Sequence, residues 1–274
     1  MIRKVIRQSL VSLLVFAAVL FAFSRVDWME VFGLHRNIIE EKLGDLYWEF
    51  VSESETFVGD RCLTVPLDSL FSTLCRANGV DRSRVSLHLV VSDEVNAFAC
   101  PGNHLVVYTA LIDSCRSAEE LCGVLAHELA HIERGHVMQK LIKEMGLAAL
   151  TGLVGGNAGA ATMAELMRVL SSTAYDRSLE SEADDLAVTY LLQAGINPRP
   201  FGEFLFRLSE EEELPSLAEW VSTHPDSGKR SRLIGSRAER EGQGRTFIRL
   251  MQPAEWDAYR KALREKKEAL PASD

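Results

Sequence analysis

The chain has 274 residues, of which 47% are hydrophobic, and a formal net charge of −9. That length and apolar content suit one domain with a full core and an added terminal segment. With 39 acidic against 30 basic residues and no basic stripe, the composition argues against nucleic acid as a partner and against an anionic membrane surface.

Arg3, Lys4 and Arg7 precede an apolar run from Leu10 to Phe23. This is the pattern of an export signal, and it is shorter than the ~20 residues that a spanning helix needs. Residues 1–24 are therefore read as a signal peptide cleaved after Ser24, or as an uncleaved signal anchor that gives inner-membrane association. In both cases the positive flank stays in the cytoplasm and residues 25–274 lie outside it as a single domain. A bacterial protein would then sit on the periplasmic side of the inner membrane.

Residues 28–60 predict one or two helices, 66–77 another, and 84–92 a strand. Asn103-His104-Leu105-Val106-Val107-Tyr108 alternates and is rich in β-branched residues, so it predicts a strand. Ser117 with Glu120 forms the pattern of a capping box, followed by Leu121, Val124, Leu125, Leu129 and Ile132 at helical spacing, and Gly135 suits a stop. The glycines at 152, 155, 156 and 159 predict a mobile lid or connector over 146–163. Residues 164–194 read as one helix closing at Gly195, and Phe247 to Lys267 as a docking helix with a polar end. The five cysteines, at 62, 75, 100, 115 and 122, leave at least one thiol unpaired. Cys62–Cys75, or Cys115 with Cys100 or Cys122, are the pairings considered, and free thiols are the alternative.

The predicted helix after Ser117 contains His127-Glu128-Leu129-Ala130-His131. Positions i and i+4 lie ~40° apart around a helix, so both imidazoles project from one face. Two neutral imidazoles suit Zn²⁺, and Glu128 can reach a water beside the metal as general base. A third ligand is required. His136 falls ~140° round the helix from His131 and reads as a helix-end histidine. Arg134 and Val137 stand where a metzincin requires glycine and histidine, which excludes that class. The acidic run Glu180-Ser181-Glu182-Ala183-Asp184 offers carboxylates, and on spacing alone Glu180 with Asp184 serves as well as Glu182 with Asp185.

Taken together, the His127–His131 motif, Glu180-x-Glu182-Ala183-Asp184, and Thr223-His224-Pro225 with Arg230 resemble the gluzincin zinc endopeptidases of the Ste-type CAAX prenyl protease and HtpX group. The likeness is greatest to the soluble bacterial periplasmic members, and it runs from about Asn96 to Ile234 in four ordered blocks. It implies a mainly helical zincin-type domain of class α+β, with a small sheet beside the active-site helix and one Zn²⁺. It also implies His127, His131 and Glu180 as metal ligands, with Asp184 accepting the ring N–H of a ligand histidine. Glu128 would be the catalytic base, and His224 and Arg230 would assist at the oxyanion. Alternatively, His224 would plug the open metal position and Arg230 would tie down its loop. Asn103, His104, Leu105 and Val106 would form an edge strand for an extended substrate. Cys100, Asn103 and Ala110 depart from the pattern, which often has an apolar residue and two glycines there. The function implied is an envelope endopeptidase acting on unfolded or misassembled proteins. A zinc-stabilised chaperone or assembly factor with little turnover is the alternative.

Overall fold

The computed structural model describes residues 28–156, 159–172, 174–211 and 214–269. The expected signal segment, 1–24, lies outside them. The chain divides into two units, Met1–Glu40 and Glu41–Asp274. Among the described residues, no helix is long and apolar enough to cross a membrane.

The class is α+β, mainly helical with one three-stranded sheet. Helices α1 (Trp28–Ser54) and α2 (Arg61–Ala77) lead into strands β1 (Ser86–Val90), β2 (Ala97–Cys100) and β3 (His104–Tyr108). The order across the sheet is β1-β3-β2, with β1 parallel and β2 antiparallel to β3. β3 is thus the central strand. This corrects the expectation that Asn103, His104, Leu105 and Val106 form an edge: both sides of β3 are already paired, and Asn103 belongs to the preceding turn. The free edge on this side of the sheet is β2.

The turn from β2 to β3, Pro101–Asn103, needs two residues in the left-handed region, Gly102 (φ 75°) and Asn103 (φ 60°). Asparagine tolerates that conformation better than other non-glycine residues, which accounts for Asn103 at this position.

Short helix α3 (Thr109–Ser114) leads to α4 (Ala118–Glu133), which is buried from Glu120 to Ile132. Ser117 Oγ accepts from the Glu120 amide at 3.3 Å and starts the helix. The Glu120 carboxylate caps the Arg116 amide at 2.8 Å and is held by Arg207 at 2.7 and 2.8 Å. Gly135 (φ 60°) turns the chain into α5 (His136–Met145). The segment expected as a lid contains helix α6 (Leu147–Val154), whose Leu150 and Leu153 are buried. Burying two leucines stabilises such a turn by a few kcal/mol, about 1.5–3 for each, which outweighs the cost of about 1 for Gly152 inside it.

The helix expected over 164–194 is two helices, α7 (Ala160–Ser172) and α8 (Arg177–Gln193). The break between them, 174–176, carries Tyr175 into contact with His131. Helices α9 (Arg199–Glu210), α10 (Ala218–Thr223) and α11 (Ser227–Gly242) follow. Gly123 lets α9 approach α4 so closely that a Cβ there would lie 2.3 Å from Phe201 Cβ.

The last helix, α12 (Pro253–Glu268), begins six residues later than the docking helix expected over Phe247 to Lys267, and it packs through buried Trp256, Tyr259 and Leu263. Trp256 Nε1 donates to Cys115 O at 3.0 Å and Tyr259 Oη to Leu63 O at 2.8 Å. All five cysteines are free thiols, so none of the considered disulfides is present. Burial pushes the Cys75 thiol up to about 11 and Cys100 up to about 12.

Candidate active site

Helix α4 presents His127, Glu128 and His131, all fully buried, toward the first turns of α8. The two Nε2 atoms of His127 and His131 approach to 3.0 Å. Glu180, on the first turn of α8, places Oε1 3.2 Å from His131 Nε2 and Oε2 3.6 Å from His127 Nε2. His224, which caps α10, points Nδ1 at Glu180 Oε1 over 3.2 Å. One ligating atom from each of these four residues lies within 4.8 Å of the others. The alternative carboxylates go elsewhere. Glu182 is half-exposed beside Arg134, and Asp185 is exposed beside Arg237.

One turn along α8 from Glu180, Asp184 Oδ1 lies 3.0 Å from His127 Nδ1. Arg230, buried on α11, donates to both oxygens of Asp184 at 2.8 Å and brings Nη1 within 2.5 Å of Glu180 Oε2. Its guanidinium is therefore engaged by two carboxylates. Glu128 Oε2 accepts from the Ala99 amide of β2 at 3.0 Å. Its Oε1 faces His224 Nε2 at 3.5 Å, and among the described residues neither atom has a hydrogen-bond partner.

The electrostatics follow from burial. Burial holds His131 well below its ordinary value, so it is neutral. Burial also pushes Glu180 upward, but Arg230, His224 and His127 outweigh it, and the carboxyl stays ionised far below its usual range. For His127, burial and Arg230 favour the neutral ring, yet Glu180 and Asp184 draw a proton onto it and raise it to about 9. Burial raises Glu128 above an ordinary glutamate against the pull of His224 and His127.

These residues fit zinc. Two imidazole nitrogens and a carboxylate converge in a buried site, and a cation between them satisfies the same charge demand that draws a proton to His127. The unpartnered Glu128 Oε1 sits beside that position.

The model of peptidase family M48 matches residues 65–238. The chain belongs to peptidase family M48. It is similar to the beta-barrel assembly-enhancing protease of Yersinia pestis, 30% identical over 200 residues, which cover 68% of this chain and 41% of that protein. The protein of the same name from Escherichia coli K12 matches with the same identity and coverage. The mitochondrial metalloendopeptidase OMA1 of Bos taurus is 30% identical over 168 residues, covering 56% of this chain and 32% of that protein. The chain thus spans about two fifths, or one third, of the length of these relatives. The M48 family is one of zinc metalloproteases, and the cluster on α4, α8 and α10 is a site that could hold the metal.

Helical spacing brought out only His127 and His131 of this cluster, Glu180 and His224 having come from the family resemblance. It missed two contacts. His136, placed on another face by helical geometry, lies with Nδ1 3.0 Å from His131 Nδ1. Tyr175 stacks on the His131 ring with centroids 4.0 Å apart.

Proposed function

We propose that the chain is a zinc metalloendopeptidase of the bacterial cell envelope that cleaves unfolded or misassembled proteins. The observation that carries this reading is the unpartnered Glu128 Oε1 beside the convergence of His127, His131 and Glu180. The Yersinia pestis and Escherichia coli relatives are named as proteases that enhance beta-barrel assembly, which supports a substrate met during protein assembly, and the export pattern of residues 1–24 supports the periplasmic side.

His127 Nε2, His131 Nε2 and a Glu180 oxygen would hold the zinc, which when bound supplies a Lewis acid that polarises water and the scissile carbonyl. Asp184 fixes the His127 proton on Nδ1, and Arg230 clamps Asp184 and Glu180 in register. Glu128 accepts a proton from the attacking water at Oε1 and returns it to the leaving amine. Strand β2, next to Glu128, takes over the substrate-edge role, since an extended peptide can pair with its free side. Replacing Glu128 by Gln tests the reading. Zinc should stay and cleavage of an unfolded protein should vanish; normal cleavage by that variant would end it.

One observation favours the second reading, a zinc-stabilised chaperone or assembly factor. His224 is fully buried against both Glu180 and Glu128, which closes the site. Zinc retained with no turnover on any unfolded protein would select that reading.

A further inference from the structure

We propose that His136 and Glu182 form a positioning relay that fixes the ring of His131 for the metal. The assignment rests on the reading of His131 as a zinc ligand.

A histidine that ligates through Nε2 keeps its proton on Nδ1, and the partner of that N–H sets the ring orientation. His131 Nδ1 faces His136 Nδ1 at 3.0 Å, both rings being buried. If His131 donates, His136 accepts at Nδ1 and carries its own proton on Nε2. That nitrogen faces Glu182 Oε2 at 3.6 Å. The other oxygen of Glu182 lies 3.2 Å from Arg134 Nε, which steadies the carboxylate at the surface. Each proton along Glu182–His136–His131 then has one consistent place, with the free lone pair of His131 aimed at Glu180 and His127. The two histidines of α4 are oriented by different means: His127 by Asp184 directly, His131 through an intervening imidazole.

The backbone makes this possible. Gly135, at φ 60°, ends one helix and starts the next, and this returns His136 to the His131 face. His136 is outside the four-residue cluster that could hold the ion, so its role is to orient rather than to bind.

The test is the zinc dissociation constant of the full chain, measured by competition with a chromophoric chelator. His136→Leu should weaken zinc about 10–100-fold. His136→Asn, whose Oδ1 can accept where Nδ1 did, should recover most of that loss. The absorption bands of the Co²⁺-loaded protein should shift in the Leu variant and return in the Asn variant. Glu182→Ala should weaken zinc by less, and adding it to His136→Leu should cost nothing further, because the relay is already cut. Wild-type zinc affinity in His136→Leu, or losses that add in the double variant, would overturn the relay. If the metal-free Leu variant does not melt as a folded protein, the half-exposed Glu182→Ala decides alone, and an unchanged constant there overturns the proposal. His131→Ala separates this from the reading beneath it. Undiminished zinc binding by that variant removes the ligand assignment, whereas lost binding there with wild-type affinity in His136→Leu removes only the relay.

Discussion

Asp184 is gripped by Arg230 through two 2.8 Å hydrogen bonds while it also meets His127 Nδ1 at 3.0 Å, all three side chains being buried. A single carboxylate thus ties α8 to both α11 and the first histidine of α4. Breaking a buried pair of this kind by removing one partner costs about 3–5 kcal/mol, because the other charge is stranded. Arg230→Met should therefore lower the unfolding free energy of the chelated protein by that order, as read by urea titration.

The same clamp sets an acid limit. Burial pushes Asp184 up, but Arg230 and His127 outweigh it and hold the carboxyl below its ordinary value. Because the folded value is the lower one, the stabilisation is present above the unfolded aspartate value, ~3.9, and is lost as pH falls through the folded value. Acid unfolding of the chelated protein, followed by circular dichroism, should begin at higher pH in Arg230→Met than in wild type.

Zinc should stabilise the folded chain by mass action. At a free concentration one hundred times the dissociation constant the gain is about 2.7 kcal/mol. Thermal unfolding should shift upward on adding zinc and downward on chelation, and His131→Ala should abolish the difference.

His224 is predicted to restrain the site. Removing it frees the space between Glu180 and Glu128, so His224→Ala should cleave an unfolded protein faster than wild type. A fall of about 10²–10³-fold in turnover would instead make His224 a donor to the oxyanion.

Gly123 is required by packing. An alanine methyl would meet the Phe201 side chain at 2.3 to 2.8 Å. Gly123→Ala should cost about 1–3 kcal/mol of stability through overpacking, and pairing it with Phe201→Leu should recover part of that.

Much of the metal cluster was legible because helical spacing alone puts His127 and His131 on one face. Spacing did not choose between Glu180 and Glu182. They sit two apart on α8, and only the packing of α8 on α4 turns one inward and leaves the other beside solvent. His136 was misplaced because a helical wheel assumes an unbroken helix, whereas Gly135 reverses the backbone between the two histidines. The strand order was misread for a related reason. Strand β2 is only Ala97–Cys100, too short to show alternation, yet Pro101-Gly102-Asn103 between two apolar runs was the mark of a hairpin. With that hairpin recognised, the second strand acquires a partner and cannot be the rim. The helix break at 174–176 left no comparable mark.

The amide of Ala99 points away from β3 and into the Glu128 carboxylate. A guest chain that zips onto the outer side of β2 wants that same N–H for its own carbonyl. On the roles proposed for β2 and Glu128, admission of the guest and release of that carboxylate would be one exchange, and a polypeptide that fails to pair at Ala99 would leave Glu128 tethered.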